Sequence, residues 1–225
     1  MSGAMKRDCR GLSLIEVIIS AVILFVLVAV VLAILLNSSA HYENQAVLLA
    51  LDQKGREALN EISKDLRMSK LDLLVNGVTG VSIVPSDATI YSDFQFRLPG
   101  KLPAGTRPLE EYRQNPDRLM TQRIRYAWVT DPGETPNDGV DNNNNGVVDE
   151  GILQKTEQDL DTSGNVLATR TSRICWDLKK NGLAFKVPST GSGRVEITVD
   201  LEKVDPKNRK TKMTRTVQTT VELRN

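Results

Sequence analysis

Two groups of residues in this 225-residue chain have the types and spacing to do chemistry. The first is Gly11-Leu12-Ser13-Leu14-Ile15-Glu16, where one carboxylate stands at the lip of an apolar stretch that reaches Leu36. A charge at the middle of a membrane helix costs roughly 2.5–3.5 kcal/mol on insertion scales, and less near the edge. An ionisable residue in such a place is a functional site by default. Leu12 to Leu36 holds no basic residue, so the counter-charge for Glu16 is expected on another molecule. The second group is Asp141, Asn143, Asn145 and Asp149, interrupted by Gly146. Counted from Asp141, oxygen-bearing side chains fall at loop positions 1, 3, 5 and 9, glycine at 6, and Val147 at 7 offers its backbone carbonyl. That is the front of an EF-type loop, and its hard oxygen donors suit calcium. Position 12 is Ile152 instead of a bidentate Glu, which leaves Glu150 or Asp138 to replace it. Calcium affinity is therefore expected to be weak, roughly 0.1–1 mM. The competing reading is a polar loop turned by its Asn-Gly pairs, without a metal.

These residues need elements to hold them. Leu12 to Leu36 is about 25 residues, longer than the roughly 20 a helix needs to cross a hydrocarbon core. Lys6, Arg7 and Arg10 precede it against the single acid Asp8, so the amino terminus is expected to stay cytoplasmic and the rest to be exported. The run is longer than a secretory signal core, and no A-x-A-like site follows it. Beyond Leu36, residues Leu48, Leu51, Gly55, Ala58, Ile62 and Leu66 recur at helical spacing, with Asp52, Lys54, Arg56, Glu57, Glu61, Lys64 and Asp65 between them. The pattern predicts one helix from about Leu12 to Ser69, on the order of 85 Å long. Gly55 on its apolar stripe points to close approach of a strand. Asn76-Gly77 ends the helical region, and alternation follows. Strands are expected at Val78–Val84, Ile90–Leu98, Gln122–Thr130, Ile152–Asp159, Val166–Ile174, Leu183–Val187, Arg194–Lys203 and Thr214–Leu223, the last two as an antiparallel hairpin. The expected organisation is a leader (1–11), a transmembrane helix (12–36), its amphipathic continuation (37–71) and a β-rich domain (72–225) with an acidic loop at 131–151. The fold class is α+β, a long helix packed on an antiparallel sheet.

The amino-terminal residues resemble the class III signal of type IV prepilins and pseudopilins. That resemblance implies cleavage by a prepilin peptidase between Gly11 and Leu12, with methylation of the new terminus at Leu12. It makes Glu16 the fifth mature residue and pairs it with the terminal amine of a neighbouring subunit. Leu12 departs from the usual first mature residue, Phe. Initiation at Met1 or at Met5 would each leave Gly11 as the last leader residue. Asp65-Leu66-Arg67, Arg125-Tyr126 and the two-strand finish are similar to PilW-type minor pilins and to GspJ-type pseudopilins of type II secretion. For the PilW-like case the resemblance implies an inner-membrane protein that becomes part of a pilus tip. Its partners would be other minor pilins, the major pilin and a PilY-family tip adhesin, with roles in priming, adhesion and twitching motility. A GspJ-like pseudopilin is the neighbouring alternative. A reading of another class is a membrane-tethered, calcium-dependent module for a ligand or DNA.

Other chemistry has little support. The chain has one histidine, His41, just past the apolar run, and no G-x-S-x-G, H-E-x-x-H or GxxxxGK[ST]. It is not expected to be an enzyme. A net charge of +1 argues against general nucleic-acid binding. Of the two cysteines, Cys9 lies in the leader, so Cys175 is expected to be a buried free thiol. Asp159–Asn165 is expected to form a hairpin turn, and Lys207, Arg209, Lys210, Lys212 and Arg215 to make a basic, solvated tip.

Overall fold

The structure is a computed structural model that describes residues 13–98, 121–161, 163–189, 193–205 and 211–223. Residues 1–45 and 46–225 are two separate compact units. The long helix α1 (Leu14–Leu66) has residues in each of them. It ends three residues short of Ser69, where the chain turns through a 3-10 helix at Leu71–Leu73.

In the first unit the apolar residues of α1 from Leu14 to Leu36 are exposed along their whole length. This is the only helix among the described residues long and apolar enough to cross a membrane. His41 is exposed.

In the second unit, α1 packs on a seven-stranded antiparallel sheet whose strands lie in chain order. They are β1 (Val75–Asn76), β2 (Asp93–Leu98), β3 (Gln122–Thr130), β4 (Gly151–Leu160), β5 (Val166–Lys186), β6 (Arg194–Val204) and β7 (Lys212–Glu222). Leu51, Ala58, Leu59, Ile62 and Leu66 are the buried stripe of the helix. They meet Phe94, Phe96, Ile124, Tyr126, Leu153 and Phe185, and the inward-facing Val195, Ile197, Val199 and Leu201 of β6. Each fully buried Leu, Ile, Val or Phe contributes about 1.5–3 kcal/mol relative to exposure. Phe94 stacks on Phe185 with ring centroids 4.6 Å apart. Gly55 is needed where the strands come nearest: a Cβ there would lie 2.7 Å from Val217 Cγ2 and 3.2 Å from Leu201 Cδ1.

Three expected strands differ. Val78–Val84 is not a strand. Asn76 Oδ1 accepts the N–H groups of Val78 and Thr79, Gly80 has φ of 68°, and only Val75 and Ser82 form an isolated bridge. A turn stabilised by the Asn side chain has replaced extended pairing. Conversely, Val166–Ile174 and Leu183–Val187 are parts of one strand, β5. Asp177 and Asn181 take left-handed φ values of 62° and 56°, and the register shifts between Leu178 and Leu183. The bulge redirects the chain, so the first part of β5 pairs with β4 and the second with β6. Tyr91 then exchanges two backbone hydrogen bonds with Phe185, which curls the sheet on itself.

Candidate functional site

At the amino-terminal end, Ser13 is the first described residue, and its carbonyl accepts the N–H groups of Glu16 (2.9 Å) and Val17 (3.2 Å). Glu16 thus lies in the first turn of α1, where a carboxylate meets the positive end of the helix dipole. Ser20 Oγ donates to the Glu16 carbonyl at 2.7 Å. The Glu16 side chain is exposed, and among the described residues no ion pair reaches it. Gly11 and Leu12, the expected processing residues, lie outside the described residues, as do Cys9, Lys207, Arg209 and Lys210.

The acidic loop is wound tightly. Its ends meet where the Asp131 N–H donates to the Glu150 carbonyl (3.2 Å). Asp141 accepts Asn145 N–H at 3.0 Å through Oδ1 and Gly146 N–H at 2.6 Å through Oδ2. Asn143 Oδ1 accepts Asn145 N–H (3.0 Å), and Asn145 Oδ1 accepts Val147 N–H (2.8 Å). Gly146 has φ of 92°, and a Cβ on it would lie 2.7 Å from Val204 Cγ2, so the turn sits against the end of β6. Val147, the next residue, is buried.

Asp149 is buried, and its Oδ2 accepts from Lys180 Nζ at 2.9 Å. Lys180 holds its carboxyl below the usual range. Glu150 lies on the inner side of the loop, where its Oε1 accepts the carboxamide N–H groups of Asn143 (2.7 Å) and Asn145. Burial pushes its pKa up against those two donors. Glu134, which the loop pattern did not single out, accepts the backbone N–H groups of Asn142 (3.4 Å) and Asn143 (3.0 Å). No sequence spacing announces that contact, which depends on the loop folding back on its own start. Among the described residues no three His, Cys, Asp or Glu side chains form a closed metal cluster. Any cation here would depend on Asn and backbone oxygens as well as carboxylates.

A second polar group joins helix and sheet. Lys155 reaches Asp65 (2.8 Å), Glu157 (2.8 Å) and Glu61 (3.3 Å), and Tyr126 Oη donates to Asp65 Oδ2 at 2.7 Å. Burial alone would lower the Lys155 pKa, but its bonds to Asp65 and Glu157 outweigh that and raise it. Burial, then the Asp65 charge, raises that of Tyr126. Arg125 pairs with Asp93 one strand away, through Nε at 2.8 Å to Oδ1. Cys175 is buried and free, and burial pushes its thiol up to about 11. At Asp161–Asn165, Asp161 Oδ1 accepts the N–H groups of Ser163 and Asn165, as a hairpin turn requires. Lys212 and Arg215 are paired with Glu202 and Asp52, so two members of the expected basic tip serve the domain itself.

Comparison with protein families matches residues 6–36 to the prokaryotic N-terminal methylation motif. No curated protein and no solved structure matches the chain. The motif, together with the apolar helix, supports a type IV pilin-like protein, either pilin or pseudopilin. That class is structural and non-enzymatic, and the motif implies membrane association and assembly with other pilins.

Proposed function

We propose that the chain is a minor pilin of a type IV pilus, PilW-like, which helps prime assembly and resides at the pilus tip. A prepilin peptidase cuts between Gly11 and Leu12, and Leu12 is methylated. The protein waits in the inner membrane with its domain in the periplasm, then enters the filament with other minor pilins and the major pilin. A PilY-family adhesin is its proposed partner at the tip. One observation carries this reading: Glu16 lies in the first turn of an apolar helix and has no ion-pair partner among the described residues. A neighbouring subunit's terminal amine supplies that partner, and the exposed Leu14–Leu36 surface packs against sibling helices.

The test is crosslinking in cells that carry Glu16→Ala, together with mass spectrometry of the extracted protein. Association with sibling pilins is expected to drop at least tenfold, while the wild-type chain is recovered with methylated Leu12 as its first residue. An intact leader in cells with active peptidase, or undiminished crosslinking of the variant, would overturn the reading. Crosslinks to secretion-system components in place of pilins would move the protein to a GspJ-like pseudopilus. Ligand capture unaffected by Glu16→Ala, with no pilin crosslinks at all, would instead favour a tethered binding module.

A further inference from the structure

We infer that the 141–150 loop is a calcium site centred on Glu150, with Asp141, Asn143, Asn145 and Asp149 completing its oxygen shell. Glu150 is only 3 % exposed. Its Oε1 takes two carboxamide N–H donors from the loop, and its Oε2 has no hydrogen-bond partner. A buried carboxylate oxygen without a donor is strongly disfavoured, because the charge loses its hydration and gains nothing in return. Such oxygens are rare and ask for a missing group. A cation is such a group, and the oxygens around Glu150 suit one. Glu134 and Asp141 of the same loop accept backbone N–H groups, and among the described residues neither they nor Glu150 forms an ion pair. Lys180 takes Oδ2 of Asp149, while Asp149 Oδ1 is buried without a hydrogen-bond partner, so Asp149 keeps one oxygen for the shell that the loop pattern gives it.

The donors suit calcium. Asp141, Asn143 and Asn145 have each spent one lone pair of a side-chain oxygen on a backbone N–H, and a second remains on each such oxygen. Val147, buried beside them, fixes the backbone whose carbonyl occupies loop position 7. Neutral amide and carbonyl oxygens around three carboxylates form a flexible set, which calcium accepts and magnesium, with its strict octahedron and tightly held waters, does not. The site would join the start of β4 to the loop, so an ion there would brace the loop against the sheet.

The experiment uses the full chain in detergent micelles, stripped with chelator and then titrated with calcium chloride or magnesium chloride. Calcium is expected to bind with a Kd of roughly 0.1–1 mM. At 10 mM it should raise the melting temperature by roughly 3–7 °C. Magnesium is expected to bind at least tenfold more weakly. Glu150→Gln is expected to abolish the calcium increment and to raise the melting temperature of the stripped protein, since it removes an uncompensated charge. Because Glu150 is buried, the half-buried Asp141→Asn, whose amide oxygen can still accept the Asn145 N–H, provides a second variant with little risk to folding, and it should weaken calcium at least tenfold. No heat and no shift with calcium in the folded protein would overturn the inference. So would calcium binding that Glu150→Gln leaves unchanged.

Discussion

Lys155 gathers three carboxylates from two elements, and its own side chain is only 9 % exposed. Its worth lies in what it leaves behind when removed. Lys155→Met would strand Asp65, itself 10 % exposed, beside Glu157 and Glu61. Breaking a buried pair from one side costs about 3–5 kcal/mol. We expect denaturant melts of Lys155→Met to show a loss of that order, and Lys155→Met with Asp65→Asn to recover much of it. An equal loss in both variants would mean that packing of the lysine stem, not charge, is at stake. The exposed Arg170–Asp159 pair makes the contrast, since surface pairs contribute about 0–1 kcal/mol.

Among the elements, the contact of α1 with β6 and β7 depends on one missing side chain. Gly55 lowers helix stability by about 1 kcal/mol relative to Ala, yet it lets Val217 and Leu201 close on the helix. Gly55→Val would force a branched side chain into that contact. Overpacking of this kind costs typically about 1–3 kcal/mol, and the expected result is a matching fall in unfolding free energy by denaturant titration. A variant as stable as the wild type would show that the helix can shift away from β7 freely. Gly55 on an apolar stripe was legible as a close-approach site, because a glycine among Leu, Ala and Ile at helical spacing has no other use there. The bulge in β5 was not legible. Asp177 and Asn181 read as ordinary polar residues, and only their left-handed backbone and the pairing of Tyr91 with Phe185 reveal a single bent strand.

For the molecule as a whole, stability should depend on high pH through the helix–sheet network. Lys155 and Tyr126 both have raised pKa values in the folded state, so the fold keeps protons that the unfolded chain releases near pH 10. The unfolded state then binds fewer protons, and stability falls as pH rises. The contribution is complete below about pH 10 and is lost progressively above it. Thermal melts are expected to be flat from about pH 7 to 9 and to drop above about pH 10, less steeply in Tyr126→Phe. Equal melting temperatures at about pH 8 and 11 would show that the network does not govern alkaline unfolding.

The sequence by itself determined the apolar helix, its lone acid, the α+β class and the strands from Gln122 onward except the single bent β5, because these rest on local periodicity and on the cost of charge in lipid. It also marked the calcium-like spacing, since alternate oxygens around a glycine are a local pattern. Tertiary structure alone decided which acids are spent. Lys180 claims one oxygen of Asp149, Glu134 folds back to the backbone at Asn142 and Asn143, and Asp149 and Glu150 are each left buried with one oxygen unanswered. Burial and charge pairing are set by contacts between residues distant in sequence, and no spacing along the chain encodes them.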